Sequence, residues 1–263
     1  MRILVTGAGR AIGRSTCEVL TSAGHDVVAT ARNVAILDGL EVAQCLPLDV
    51  TSQTSVDSCL AAAGELDAIV NNAALSASGD LETLDLGVLS AALETNAVGA
   101  LRMVQGVTPA WRERGSGVIV NVSSILGKVS TPLSGAYAAS KHALEALSEA
   151  LHYELGHFGI RTVLVEPGYT APGMKGIDRE LPTSGPYVEL YTQMNGADDS
   201  VTNGAGRPGP ETVAEVIRAA IENPETPLRV PVGPDAELVL PTRAAMSDVD
   251  FEATMRAVLG LTW

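Results

Sequence analysis

The sequence predicts an α/β fold: a doubly wound parallel sheet of about seven strands, with helices on both faces. Three observations predict it. Short apolar runs alternate with helix-length segments six times between Arg2 and Val165. A glycine-rich turn, Gly7-Ala8-Gly9-Arg10-Ala11-Ile12-Gly13, joins the first run to the first helical segment. Asn71, Ser124 and Pro167-Gly168 all fall just past apolar runs. That is where open α/β sheets bind ligands.

Residues 2–6 form the first strand, and a helix follows at 15–23, stopping at Gly24. Strand, glycine turn and helix open a dinucleotide-binding unit. Backbone N–H groups at the helix start take a pyrophosphate, and absent Cβ atoms allow close approach. Residues 25–30 form the second strand. Where an NAD-specific protein usually places a carboxylate for the ribose hydroxyl, this chain has Ala31-Arg32. Arg32, and Arg10 in the glycine turn, suit a 2′-phosphate. The competing reading of each is a surface arginine. The missing acid favours NADP(H) over NAD(H).

Only 16 residues separate Arg32 from Asp49, so the helix at 34–40 must be short. Residues 45–50 form the third strand, ending at Asp49-Val50. Asp49 can reach an adenine amino group or serve the next helix start, which Thr51 or Ser52 can cap. Residues 66–70 form the fourth strand, followed by Asn71-Asn72-Ala73-Ala74, a small and polar loop suited to lie against a ligand. A long helical stretch covers 81–109. Within it Asn96 stands among Leu93, Ala97, Val98 and Leu101, so it needs partners. It is a structural polar group or the holder of a water.

The fifth strand, 118–122, delivers Ser123-Ser124. The helix at 135–156 carries Tyr137 and Lys141 on its first turns, four residues apart and so on one face. An ammonium beside a phenol favours the phenolate. Tyrosine ordinarily titrates near pH 10. A pKa lowered by about 2–3 would suit acid–base work. The plain alternative is a helix face with a solvated lysine. The sixth strand, 160–165, ends before Glu166-Pro167-Gly168-Tyr169-Thr170.

Composition narrows the function classes. The 263-residue chain is 46% hydrophobic, enough for a large core in a single domain, 1–263. Its net charge of −14 argues against nucleic acid or anionic membrane as a partner. No signal pattern and no apolar segment of about 18 residues occurs, so a cytoplasmic protein without a membrane span is expected. Cys17, Cys45 and Cys59 have no ligand spacing and read as reduced thiols. No metal is expected.

These motifs, in this order and spacing, resemble the short-chain dehydrogenase/reductase family. The resemblance covers residues 2–233. It rests on TGAGRAIG (6–13), Asp49-Val50, NNAA (71–74), Asn96, the Ser124–Tyr137 spacing, YAASK (137–141) and Pro167-Gly168. It implies a Rossmann-type fold and an NADP(H)-dependent oxidoreductase acting on a carbonyl or secondary alcohol. Tyr137 would be the general acid/base. Lys141 would lower its pKa and hold the nicotinamide ribose. Ser124 would orient the carbonyl, and Asn96 would position a relay water. Cofactor would lie on Gly7, Arg10, Ala11, Ile12, Gly13, Arg32, Asp49, Val50, Asn71, Ala73, Tyr137, Lys141, Pro167, Gly168 and Thr170. Ala11 departs from the family's usual glycine, and NNAA from the commoner NNAG. The strings ATAR (29–32) and PLRVPVG (227–233) look most like the NADP-linked carbonyl and hydroxysteroid or retinoid reductases. A homodimer or homotetramer is implied. The alternative function is a non-catalytic NADP sensor or scaffold on the same fold. The Ser124, Tyr137, Lys141 and Asn96 set favours catalysis, since a sensor needs no proton donor.

The expected substrate loop is 169–210, rich in Gly and Pro. Tyr187, Leu190, Tyr191 and Met194 recur at helical spacing within it, so a short amphipathic helix is predicted. It closes over a fairly apolar substrate or simply packs on the core. Lys175 and Arg179 could bind an acid. A helix at 210–221, a seventh strand at 228–232 and a C-terminal extension, 234–263, with two short helices complete the chain.

Overall fold

The computed structural model describes residues 1–171, 183–197 and 206–263. Seven parallel strands form one sheet: β1 (Arg2–Val5), β2 (Asp26–Ala31), β3 (Gln44–Pro47), β4 (Ala68–Asn71), β5 (Gly117–Val122), β6 (Ile160–Pro167) and β7 (Arg229–Val232). Their order is β3-β2-β1-β4-β5-β6-β7. The chain winds outward from β1 to β3, then crosses back to β4. The switch point therefore lies between β1 and β4, where such sheets open a crevice at their carboxyl ends. Register keeps those ends level: Val5 pairs with Ala29 and Val70, Asn71 with Asn121, and Val122 with Val165.

The described helices are α1 (Ala11–Ser22), α2 (Gln53–Ala63), α3 (Leu86–Leu93), α4 (Gly99–Arg114), α5 (Gly135–Gly156), α6 (Val188–Ala197), α7 (Pro210–Glu222), α8 (Pro234–Ala245) and α9 (Asp248–Leu259). Strand side chains alternate between two apolar layers. Ile3, Val5, Val118 and Val120 pack with Cys17 and Leu20 of α1 and Val213 and Ile217 of α7. Leu4, Ile69 and Ile119 pack with Val56 of α2 and Met103, Val107 and Trp111 of α4. Burial on both faces explains why the strands read as nearly unbroken apolar runs.

Three elements differ from the sequence reading. The stretch 81–109 is not one helix. Helix α3 starts only at Leu86, because Asp85 caps it through the Gly87 N–H at 2.9 Å. Residues Glu94–Val98 then widen into a π turn. Helix α4 continues past Pro109 and ends at Arg114, closed by Gly115 at φ +74°. The short helix at 34–40 is a single 3₁₀ turn, Val34–Leu37, started by the Asn33 side chain. Strand β3 ends at Pro47, so Asp49 stands two residues past it.

The amphipathic helix predicted at Tyr187–Met194 is α6, which buries Leu190 and Tyr191. Whether 169–210 forms a lid turns partly on residues outside those described, as do Lys175 and Arg179. The C-terminal extension does form two helices. Val239, Phe251 and Leu259 cluster with Val129, against which Tyr169 and Met194 pack. Among the described residues no helix is long and apolar enough to cross a membrane.

Candidate active site

A cavity of about 1250 Å³ opens at the carboxyl ends of the strands. At one end the glycine turn forms its wall. Gly7 has φ +66°, a conformation that favours glycine, and a Cβ there would lie 2.9 Å from Ala73 Cα. Gly13 does not line the cavity. A Cβ there would strike the Gly7 carbonyl, so its role is to let α1 approach the turn. Arg10, Ala11 and Ile12 do line it, at the first turn of α1. No side chain caps that helix, so its leading N–H groups are available to an anion. Ala11 sits at φ +44°, which costs a residue with a Cβ about 1–2 kcal/mol.

The turn is tied to the β4 loop through Thr6. Its hydroxyl accepts from the Asn72 and Ala73 N–H groups at 3.0 and 2.9 Å. The Asn72 amide donates to the Thr6 and Gly7 carbonyls at 2.9 and 3.1 Å. Asn72 and Ala73 border the cavity; Asn71 does not. Asn71 turns the other way and donates to Asn121 Oδ1 at 2.8 Å. Strand alternation separates these neighbours, and the doubled asparagine hides which one faces the cavity.

Arg32, Asp49 and Val50 also border the cavity. Among the described residues, neither Arg10 nor Arg32 is held in a salt bridge, and both are exposed. The Asp49 carboxylate accepts from the Thr51 hydroxyl and N–H at 2.7 and 3.0 Å. Those bonds, with a smaller contribution from Arg32, lower its pKa. Ser52, not Asp49, caps α2.

The remaining groups meet where β5, α5 and β6 converge. Ser124 stands at the end of β5, its hydroxyl accepting from the Leu126 N–H at 3.2 Å. The Tyr137 phenol shares the cavity wall with that hydroxyl, which acts to lower its pKa. Lys141 is buried; its Nζ lies 5.7 Å from the Tyr137 ring centroid and donates to the Val122 carbonyl at 2.7 Å. Pro167, Gly168 and Thr170 close the wall beyond.

Asn96 is buried outside the cavity lining. Its Oδ1 accepts from the Leu75 N–H at 2.7 Å, and its amide donates to the Leu75 carbonyl and Ser140 Oγ at 2.9 and 2.8 Å. Ser140 in turn donates to the Tyr137 carbonyl at 2.7 Å. The Asn96 side chain thus locks the π turn to the β4 loop and to the first turn of α5.

Burial pushes the Tyr137 phenol up, with the Ser124 hydroxyl opposing. The ammonium is held by Val122 instead of contacting the phenol oxygen. Burial pushes Lys141 itself down to about 8, with Glu145 opposing. Among the described residues no cluster could hold a metal ion.

Comparison with known proteins decides the family. The model for short chain dehydrogenases matches residues 1–181. The chain belongs to the short-chain dehydrogenase family. A short-chain dehydrogenase from Streptomyces avermitilis superposes with a TM-score of 0.84 at 33% identity, over 98% of this chain and 96% of that one. A second, from Burkholderia cenocepacia and solved in complex with NADP, gives 0.76 at 26% over 98% and 96%. Retinol dehydrogenase 8 of Bos taurus is 34% identical over 255 residues, covering 86% of this chain and 80% of its own.

As a short-chain dehydrogenase the chain makes sense of its own departure. The usual glycine stands where the backbone turns left-handed, and Ala11 keeps that turn despite its methyl group. Sequence reading also missed Asp235. It is buried on α8, and its Oδ2 accepts from the Tyr169 N–H at 2.6 Å. Nothing local flags an acid in the first turn of a helix, where acids are common.

Proposed function

We propose that this protein is an NADP(H)-dependent carbonyl reductase or alcohol dehydrogenase acting on a fairly apolar substrate. The observation that carries the reading is that Ser124, Tyr137 and Lys141 line one cavity with the glycine turn, the buried lysine beside the tyrosine ring. The turn fits a dinucleotide, since Gly7, Arg10, Ala11 and Ile12 border the cavity where α1 begins with no side-chain cap. Gly7, Arg10, Ala11 and Ile12 would take the pyrophosphate, Gly13 letting α1 close on that turn, with Arg10 and Arg32 at a 2′-phosphate. Asp49 and Val50 would meet the adenine, Ala73, in the loop that follows Asn71, would lie beside the ribose, and Pro167, Gly168 and Thr170 would flank the nicotinamide. When bound, the cofactor supplies or accepts hydride at the carbonyl carbon.

The chain's own groups handle the proton. Ser124 orients the carbonyl oxygen. Tyr137, held neutral by burial, gives its proton to that oxygen as it becomes an alkoxide, whose parent alcohol is the weaker acid. Lys141 steadies the phenolate left behind. Asn96 keeps α5 in place through Ser140. Leu126, Pro132, Leu133, Tyr169, Tyr191 and Met194 line the other end of the cavity, which supports an apolar substrate. The likeness to a retinol dehydrogenase points the same way.

The test is NADPH and NADH oxidation against aliphatic, aromatic and polycyclic carbonyls, with wild type and Tyr137→Phe. Turnover with NADPH that falls at least about 100-fold in the variant supports the reading. Tight NADPH binding without turnover of any carbonyl favours the sensor.

A further inference from the structure

One helical turn beyond Lys141 on α5 stands Glu145, and against it on β6 stands Glu166. They are 3% and 2% exposed. Two buried acids in contact need explaining, because each charge is costly away from water. Arg229 on β7 is their main cation. Its Nε lies 2.9 Å from Glu145 Oε2 and 3.9 Å from Glu166 Oε1, while its Nη2 is spent on Glu149 at 2.5 Å. Lys128, after β5, reaches Glu145 Oε2 at 3.7 Å. Among the described residues, Lys141 and Glu149 on α5 complete the charged groups facing the pair.

This leaves Glu145 Oε1 and Glu166 Oε1 buried without a donor. The two carboxyl groups nonetheless stand side by side, both within 4 Å of the one Arg229 Nε. Two carboxylates offer acceptors only, and one proton between them satisfies both. Ser123 Oγ, also buried and unpartnered, borders the same spot: a Cβ on Gly127 would lie 2.7 Å from it and 2.9 Å from Glu145 Cγ.

We propose that Glu145 and Glu166 share one proton and are positioning residues for Lys141, their joint charge setting how firmly the lysine holds its own proton. With the shared proton in place the pair carries one negative charge; without it, two. The second charge strengthens the hold of Lys141 on its proton, through Glu145, its neighbour four residues away. The proton sharing stands alone. The effect on Lys141 as part of catalysis rests on the reading of Tyr137 and Lys141 given above.

Two measurements separate these parts. The first is urea unfolding across the neutral range, for wild type and Glu166→Gln. Burial and Glu145 raise Glu166 from 4.5 to about 7. The folded state then holds a proton the unfolded chain has lost. Wild-type stability should fall as pH rises from 4.5 through about 7, and Glu166→Gln should lose that slope. Parallel profiles overturn the shared proton. Should the variant not fold, the infrared spectrum of wild type decides instead. A buried carboxylic-acid carbonyl band present near about pH 6 and gone by about pH 9 supports the pair, and its absence throughout overturns it.

The second is the pH dependence of kcat for NADPH-linked reduction. The alkaline limb should move to lower pH in Glu166→Gln and further in Glu145→Gln. A merely structural role would depress kcat at every pH without moving the limb. A limb that stays in place in both variants overturns the effect on Lys141. If no carbonyl is turned over, the same displacement is read in unfolding from about 8 to 10.5, where Lys141 titrates.

Discussion

The backbone N–H of Tyr169 donates to Asp235 Oδ2 at 2.6 Å, so the loop after β6 is fixed by the first turn of α8. Gly168 makes room for that carboxylate, since a Cβ there would overlap it. The C-terminal extension therefore shapes the cavity wall beside Thr170. Asp235→Ala should cost about 1.5–3 kcal/mol of stability, the value of a hydrogen bond to a charged acceptor. It should also raise the KM for NADPH by loosening the loop. Asp235→Asn keeps an acceptor oxygen and should recover most of both. Urea unfolding and initial-rate kinetics check the pair; a KM unchanged in Asp235→Ala would detach the loop from cofactor binding.

Ala11 at φ +44° stores strain in the glycine turn. Ala11→Gly should relieve it, raising stability by about 0.5–1 kcal/mol after the greater freedom of glycine in the unfolded chain is counted. Thermal unfolding shows it as a higher Tm. Ala11→Val should lower Tm, because branching at Cβ makes that conformation costlier still. A glycine variant that melts lower than wild type would mean that the alanine is not strained.

Much of this was legible because strands buried on both faces and a glycine turn leave strong patterns. The seven runs and the Ser124, Tyr137 and Lys141 set needed no coordinates. What escaped has local causes. Asn71 and Asn72 are identical in type, and only strand alternation says which borders the cavity. The break at Glu94–Val98 follows from Asn96 reaching Leu75 and Ser140, contacts distant in sequence. The upward push on Tyr137 follows from burial, and Lys141 is diverted by the Val122 carbonyl. A spacing of four residues can suggest neighbours but not which oxygen the ammonium chooses.

Lys141 gives a pH signature with the opposite sign to that of Glu166. Burial lowers it from 10.5 to about 8, so between those values the unfolded chain holds a proton the folded protein has released. Stability gains from this group as pH rises through that window. Lys141→Met removes the effect. Relative to the variant, wild type should gain up to about 3 kcal/mol between neutral pH and 10.5, at roughly 1.4 kcal/mol per pH unit. Comparing the two chains cancels the buried Cys17 and Cys59 thiols, pushed up to about 12 and about 11, which titrate in both. A constant difference across the window would show that Lys141 titrates normally.

Arg32 and Arg10 carry the cofactor preference in the proposed function. Each is exposed on the cavity wall and outside any salt bridge among the described residues. A charge-assisted bond to a 2′-phosphate is worth about 1.5–3 kcal/mol, or roughly 10- to 150-fold in affinity. Arg32→Ala should therefore raise the KM for NADPH by about that factor and leave NADH within about threefold. Arg10→Ala should weaken both cofactors if it serves the pyrophosphate, and NADPH alone if it shares the 2′-phosphate. Because both guanidinium groups are in water, the preference should shrink as ionic strength rises and the Debye length shortens. Equal losses for the two cofactors in Arg32→Ala would place that arginine on a part of the dinucleotide they share, and the preference for NADP(H) would then need another source.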